Sequence, residues 1–81
     1  MPTSTSRLSA EAIGVAFADG SIRIALADGR EISAPLAWFP RLRDATPKER
    51  ANWRLIGRGE GLHWPDVDED VSVYALLGLP T

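Results

Sequence analysis

The densest group of chemically active side chains lies in residues 63–70, with the sequence HWPDVDED. It combines one imidazole with four carboxylates in eight consecutive residues. Three of the carboxylates have the one, three and five spacing of an EF-hand calcium loop: Asp66, Asp68 and Asp70. The sixth position is Val71, where the loop needs glycine, and the twelfth is Leu77, where it needs a bidentate glutamate. The pattern therefore excludes an EF-hand calcium site.

Two interpretations of the acidic run remain open. Carboxylate oxygens suit Mg²⁺, Ca²⁺ or Mn²⁺, so a looser divalent site that includes His63 is one of them. The other, which we favour, is a loop whose carboxylates stabilise the positive end of a helix and pair with arginines. Ser72 is placed to cap that helix, which would cover residues 73–77. We therefore predict no metal ion and no cofactor.

His63 is the only histidine of the chain, and it would need partners to catalyse a reaction. An imidazole can transfer protons near neutral pH, and Asp66 or Asp68 could orient it. No nucleophile motif accompanies it, because the chain has no cysteine and neither GxSxG nor HExxH. The glycines of GRGEG at residues 57–61 lack the spacing and the lysine of a phosphate loop. We predict a half-buried histidine bonded to the main chain or to a carboxylate, no catalytic residue and no enzyme activity.

The composition indicates one small folded domain. Of the 81 residues, 44% are hydrophobic and 25% are charged, and the formal net charge is −2; such values are typical of globular proteins. An acidic chain has no obvious basic face for phosphates, so nucleic acid is disfavoured, and no apolar run is long enough to span a membrane. The absence of cysteine excludes a disulfide framework and favours the cytoplasm. We expect a flexible leader at residues 1–10 and a single α+β domain at residues 11–81.

The fold expected from the pattern is a three-stranded antiparallel β-meander followed by short helices, a second short β-hairpin and a short C-terminal helix. Residues 12–34 contain three β-prone runs separated by two Asp-Gly pairs, a strong hairpin signal. A two-residue first loop places Phe17, Val15 and Ile13 opposite Ile22, Ile24 and Leu26. A three-residue second loop with Gly29 in the left-handed conformation places Ile24 opposite Ile32 and Ile22 opposite Ala34.

The second half of the chain carries helix signals and a weaker hairpin. Pro40 limits the apolar segment 36–43 to a turn or two of helix, or to a helix that begins at Pro40. Thr46 as N-cap, Pro47 as the first helical residue and Glu49 as reciprocal partner form a capping box for a helix over residues 47–51. The pattern predicts two further strands, at residues 53–56 and 62–64, which are joined by a turn at residues 57–61.

Aromatic and arginine side chains supply the expected partner surface. Most of the large rings should be buried, whereas a ring exposed beside arginine would be a binding anchor. The candidate partner-binding residues are Trp38, Arg41, Arg54, Arg58, His63, Trp64, Asp66, Asp68 and Asp70.

Taken in order along the chain, several motifs resemble the bacterial family called domain of unknown function 2442. They are DGR at residues 28–30, PL at 35–36, WFPRL at 38–42, ATP at 45–47, RANW at 50–53, GEGLHWPDVDEDVSV at 59–73 and LL at 76–77. The resemblance covers residues 12–77. It implies a compact α+β domain of bacteria or phages, found alone or joined to a helix-turn-helix.

The resemblance also implies a protein partner. Genes for such domains often lie beside another small uncharacterised gene, an arrangement similar to toxin and antitoxin pairs, and no catalytic residues are assigned to the family. This chain ends at Thr81 without a helix-turn-helix, so direct DNA contact is not expected. We therefore predict an interaction domain, the antitoxin-like or adaptor member of a two-gene operon, that binds the product of the neighbouring gene. The alternatives are a ligand- or divalent-metal-binding domain that uses His63 and residues 66–70, and a homodimer formed by edge strands of the meander.

Overall fold

The computed structural model describes residues 10–78, so the first nine residues of the predicted leader lie outside the described part of the chain. Six strands, a 3-10 turn and three short helices follow one another. In chain order they are β1 (Ala12–Ala18), β2 (Ser21–Leu26), β3 (Glu31–Pro35), the 3-10 turn (Leu36–Trp38), α1 (Pro40–Arg43), α2 (Pro47–Ala51), β4 (Arg54–Ile56), β5 (Gly61–Trp64), β6 (Glu69–Ser72) and α3 (Val73–Leu76). The strands form two antiparallel sheets, β1-β2-β3 and β4-β5-β6, which confirms the α+β prediction.

The first hairpin turns where the sequence predicts. Asp19 has a φ of 53° and Gly20 a φ of 75°, the left-handed pair that a two-residue turn between twisted strands requires. Phe17 accordingly lies opposite Ile22, and Val15 lies opposite Ile24. This part of the predicted register is confirmed.

The predicted pairing of Ile13 with Leu26 is wrong. The register shifts between Ala12 and Gly14, so that Ala12 lies opposite Leu26. Ala12 is 1% exposed, whereas Ile13 is 62% exposed. The N–H of Ala12 donates to the carbonyl of Gly59 at 2.8 Å, so the turn that contains Gly59 packs against β1. The bulge therefore places Ala12 in the core and directs Ile13 to solvent.

The second loop of the meander is the predicted three-residue one. Gly29 has a φ of 94°, and its N–H donates to the carbonyl of Leu26 at 3.0 Å. Ile24 lies opposite Ile32, and Ile22 lies opposite Ala34. The alternation places the apolar side chains of β2 in the core, where Ile22 and Ile24 are fully buried.

The helices α1 and α2 begin at the prolines that the sequence marks, Pro40 and Pro47. In α2 the hydroxyl of Thr46 accepts from the N–H of Glu49 at 3.1 Å, and the carboxylate of Glu49 accepts from the N–H of Thr46 at 2.9 Å. Arg50 joins α2 to α1, because its guanidinium donates to the carbonyls of Leu42 at 2.9 Å and Arg43 at 2.8 Å. A helix of five residues is not stable in isolation, so the capping box and the bonds of Arg50 stabilise α2.

The second sheet contains the predicted hairpin and one strand more. The strands β4 and β5 correspond to the predicted runs, but residues 69–72, expected in a loop, form β6 and pair with β5. Ser72 does cap α3, since its hydroxyl accepts from the N–H of Ala75 at 3.2 Å. The first turn of α3 contains no acidic residue, so the expectation that the carboxylates of the acidic run cap this helix is wrong.

The core lies between the two sheets and the short helices. Its largest fully buried side chains are Trp64, Ile22, Ile24, Leu26, Leu42, Leu62, Val71 and Val73. The indole of Trp64 meets the Phe17 ring edge to face, with centroids 6.2 Å apart, and its Nε1 donates to the carbonyl of Arg50 at 3.0 Å. One ring thus connects both sheets and α2. None of the helices described within residues 10–78 has the length and apolar character needed to cross a membrane.

Candidate functional site

The outer face of the second sheet brings together three of the predicted site residues. Arg54 on β4 lies opposite His63 on β5, and His63 lies opposite Asp70 on β6. Residues directly opposite one another share a face of an antiparallel sheet, so the three side chains form one row. Leu62 and Val71, one position along, face the core and are fully buried.

Within this row, the imidazole of His63 is bonded to a carboxylate, which is one of the two partners that we expected for a half-buried histidine. Its Nδ1 donates to Oδ1 of Asp70 at 2.5 Å. The prediction that Asp66 or Asp68 orients the imidazole is wrong, because the pairing of β5 with β6 places Asp70 opposite His63. The imidazole is half-buried and the carboxylate is exposed.

The other two aspartates of the acidic run have separate partners. Oδ2 of Asp66 accepts from Nδ2 of Asn52 at 3.0 Å. Nη1 of Arg41 donates to the main-chain carbonyl of Asp68 at 2.6 Å and lies 3.9 Å from its carboxylate. These bonds tie the loop between β5 and β6 to α1 and to the end of α2. The carboxylates therefore hold neighbouring elements in place and do not converge on one point.

This divergence does not favour the divalent-metal alternative. Within residues 10–78, no group of three or more histidine, cysteine, aspartate or glutamate side chains is arranged to hold a metal ion. A hard divalent cation takes six or more oxygen ligands, and here each aspartate already has a different partner.

Titration with a divalent ion should therefore leave the acidic run unchanged. We expect the ¹⁵N–¹H shifts of residues 63–70 to move no more with millimolar Mg²⁺ or Ca²⁺ than with potassium chloride of matched ionic strength. Residue Glu31, on the other sheet, is an internal reference for general salt effects. Saturable shifts confined to Asp66, Asp68 and Asp70 would contradict this expectation.

The two predicted tryptophans of the partner surface have opposite positions. Trp64 has no exposed surface, so the structure removes it from the partner-binding candidates; β5 is the central strand and directs this ring into the core. Trp38 ends the 3-10 turn and is 64% exposed. It lies three positions before Arg41, the residue that binds the acidic loop through Asp68.

Most arginines of the described chain have a bonded guanidinium. Arg23 pairs with Asp19, Arg30 with Asp28, Arg41 with Asp68 and Arg43 with Asp44, while Arg50 bonds to main-chain carbonyls and lies over Phe17. The hydrogen bond from Arg43 lowers the pKa of the Asp44 carboxyl. Among residues 10–78, Arg54 and Arg58 are the arginines whose guanidinium groups have neither an ion pair nor a hydrogen bond.

These two arginines flank two exposed apolar residues on β4. Leu55 is 43% exposed and Ile56 is 41% exposed, and β4 is an outer strand with β5 as its single neighbour. We call Arg54, Leu55, Ile56 and Arg58 the β4 edge. Its two apolar members are not apparent from the sequence, because a short apolar run is typical of a buried strand until the sheet order is known.

Two open depressions lie on the surface. The larger, about 420 Å³, lies between β1 and α2 and is lined by Val15, Ala16, Phe17, Pro47, Arg50, Ala51 and Trp53. Its charged group is the guanidinium of Arg50, which the carbonyls of α1 already occupy. The smaller, about 300 Å³, adjoins the β4 edge and is lined by Ile56, Glu60, Gly61, Asp70, Val71 and Ser72. The hydroxyl that lines the smaller depression, that of Ser72, accepts from the N–H of Ala75 at 3.2 Å as the cap of α3.

The fold and this surface define a class: a small α+β domain of two three-stranded antiparallel sheets with an exposed, cationic and apolar edge strand. The chain belongs to the family described as Protein of unknown function (DUF2442), which it matches over residues 12–79. The resemblance of the motifs is thereby confirmed.

A solved structure has the same fold. It is a protein of unknown function from Rhodospirillum rubrum ATCC 11170, 22% identical to this chain, with a TM-score of 0.67. The similarity covers 85% of this chain and 87% of the other. No curated protein matches the chain. These similarities establish the family and the fold.

Proposed function

We propose that this chain is a protein-interaction domain, the adaptor or antitoxin-like member of a bacterial two-gene operon, which acts in the cytoplasm on the product of the neighbouring gene. Its principal binding surface in this proposal is the β4 edge. The observation that carries the proposal is that two exposed apolar side chains of an outer strand lie beside two arginines without an ion pair, Arg54 on the strand and Arg58 in the turn that follows it.

The β4 edge gains free energy from a partner in two ways. Leu55 and Ile56 lose solvent-exposed apolar area on binding, which is worth roughly 25 cal/mol for each Å² buried. An arginine without an intramolecular partner can bond to a carboxylate of another protein without first breaking a bond of its own. Arginine is also among the residues enriched at binding hot spots. The β4 edge therefore offers both affinity and specificity.

Trp38 is a second anchor in this proposal. Its large exposed ring adjoins α1, whose Arg41 is bonded to Asp68 of the acidic loop. A tryptophan supplies much contact area and has few rotamers to lose on binding. His63, Asp66 and Asp70 contribute by holding the strands and loops that present both patches.

The test is co-expression of the chain with the product of the neighbouring gene, followed by affinity purification and size-exclusion chromatography with mass measurement. We expect a complex that survives the column, and a double variant Leu55→Ser, Ile56→Ser that weakens it at least about tenfold. Ile13→Ser is the matched control, because Ile13 is an equally apolar and more exposed residue on the other sheet.

The free chain in the same experiment tests the homodimer alternative. A monomer has a mass of 8.8 kDa, and edge pairing of the meander would double it. If the two gene products fail to associate at tens of micromolar, the proposal is wrong. Equal losses from Ile13→Ser and from the β4 variant would show that the β4 edge is not the surface.

A further inference from the structure

We infer that the partner binds by adding an extended strand to the outer side of β4, and that this strand carries carboxylates on either side of apolar residues. The inference rests on the proposed function and deepens it, because it specifies the chemistry of the partner and the mode of recognition. Addition of a strand to an open sheet edge is a recurring way in which proteins recognise extended segments.

The hydrogen-bond phase of the second sheet decides which main-chain groups of β4 are free. The N–H of Val73 donates to the carbonyl of Glu60 at 3.0 Å, which makes these residues a hydrogen-bonding pair at the end of the β5-β6 ladder. Bonded and non-bonded pairs alternate, so Leu62 directs its N–H and C=O toward β6. Leu55 lies opposite Leu62, and its own N–H and C=O therefore point away from β5. In the turns, loops and caps of residues 10–78, no main-chain bond reaches these two groups.

The side chains of β4 determine what the added strand should contain. Leu55 shares the core face with Leu62, so a partner side chain opposite it should be apolar. Arg54 and Ile56 project from the outer face, and there a carboxylate beside Arg54 and an apolar group beside Ile56 are complementary. Arg58, in the turn after β4, can reach a second carboxylate. The matching segment is acidic at its ends and apolar between them.

The other outer strands of the described chain are less suited to such a partner. β3 carries Glu31 and Pro35, and β6 carries Glu69 and Asp70; charges and proline are the features with which edge strands avoid pairing, and acidic edges repel an acidic segment. β1 has no charged residue, but its first N–H is already bonded to Gly59. Charge complementarity therefore selects β4.

The experiment uses the full chain and the product of the neighbouring gene. Hydrogen exchange of the ¹⁵N-labelled chain is measured alone and in the complex, and affinities are measured for wild type and for four variants. We expect the exchange of the Leu55 amide to slow by at least about 100-fold in the complex. The double reversal Arg54→Glu, Arg58→Glu should weaken binding by about 10- to 100-fold, and added salt should weaken wild-type binding.

Two comparisons separate edge pairing from simple contact. Leu55→Pro removes the outward N–H while leaving the bonds to β5, a position that proline tolerates on edge strands, so it should bind at least about tenfold more weakly than Leu55→Ala. Lys48→Glu, on α2, reverses one charge away from β4, which is half of the net change in the double variant, and should bind like wild type. Thermal unfolding of each variant confirms that it is folded.

The outcomes distinguish this inference from the proposed function. If wild-type chain and partner do not associate, both are overturned. If they associate but Arg54→Glu, Arg58→Glu binds like wild type, or if protection appears at Val15 and Phe17 and not at Leu55, the inference alone is overturned. Should Leu55→Pro fail to fold, the arginine variant and the exchange of the wild-type amide still decide the matter.

Discussion

Replacing Trp64 by alanine should remove most of the protein's stability at room temperature. The ring is fully buried, and truncation of a buried tryptophan costs about 3–5 kcal/mol through lost burial and the cavity that remains. It also removes the edge-to-face contact with Phe17 and leaves the carbonyl of Arg50 without the indole donor. A domain of this size has a total stability on the order of 5 kcal/mol. Urea unfolding followed by circular dichroism measures the loss.

Trp64→Phe separates packing from hydrogen bonding. Phenylalanine keeps most of the ring volume but has no N–H, so we expect a smaller loss, about 1–3 kcal/mol. Trp38→Ala is the matched control, because that ring is 64% exposed, and its stability should stay within about 0.5 kcal/mol of wild type. A Trp64→Ala variant as stable as Trp38→Ala would mean that the core is not centred on this ring.

Replacing Gly59 by alanine should be the second most damaging change. A Cβ at this position would lie 2.8 Å from both the N and the O atom of Ala12. These are main-chain atoms of β1 and cannot move aside as a flexible side chain would. The φ of 106° adds a conformational cost for any residue with a side chain. We expect a loss of about 3 kcal/mol or more in the free energy of unfolding, together with faster exchange of the Ala12 amide.

Gly29→Ala is the control that isolates the conformational part. Gly29 has a φ of 94°, and a Cβ there meets nothing within 4 Å. The expected loss is therefore about 1–2 kcal/mol, from the backbone conformation alone. Equal losses for the two alanine variants would show that the contact between Gly59 and β1 contributes nothing.

Local signals made the turns and caps predictable. The Asp-Gly pairs fix the two loops of the meander, and the capping box fixes the start of α2, because each feature depends on residues within a few positions of one another. The apolar alternation in β2 then sets which face is buried. The strand pattern correctly located β4 and β5 for the same reason.

Longer-range contacts explain the errors. The bulge in β1 lies beside the hydrogen bond from Ala12 to Gly59, a contact with a distant part of the chain that the alternation of apolar residues in β1 does not reveal. The carboxylates of β6 are typical of a loop, yet this segment pairs with β5 as a strand. The same pairing brings Asp70, and not Asp66 or Asp68, to His63. Hydrogen bonds to an existing strand can outweigh weak local preferences.

The sequence by itself determined the family, the α+β architecture, the hairpin loops and the helix starts, because periodicity, turn residues and caps act over short distances. Only the tertiary structure decided which tryptophan is buried and which is exposed, which arginines have partners, and that Leu55 and Ile56 lie on an outer strand. The physical reason is that exposure and pairing depend on what packs against a residue from elsewhere in the chain. The β4 edge, on which the proposed function rests, is a property of that packing.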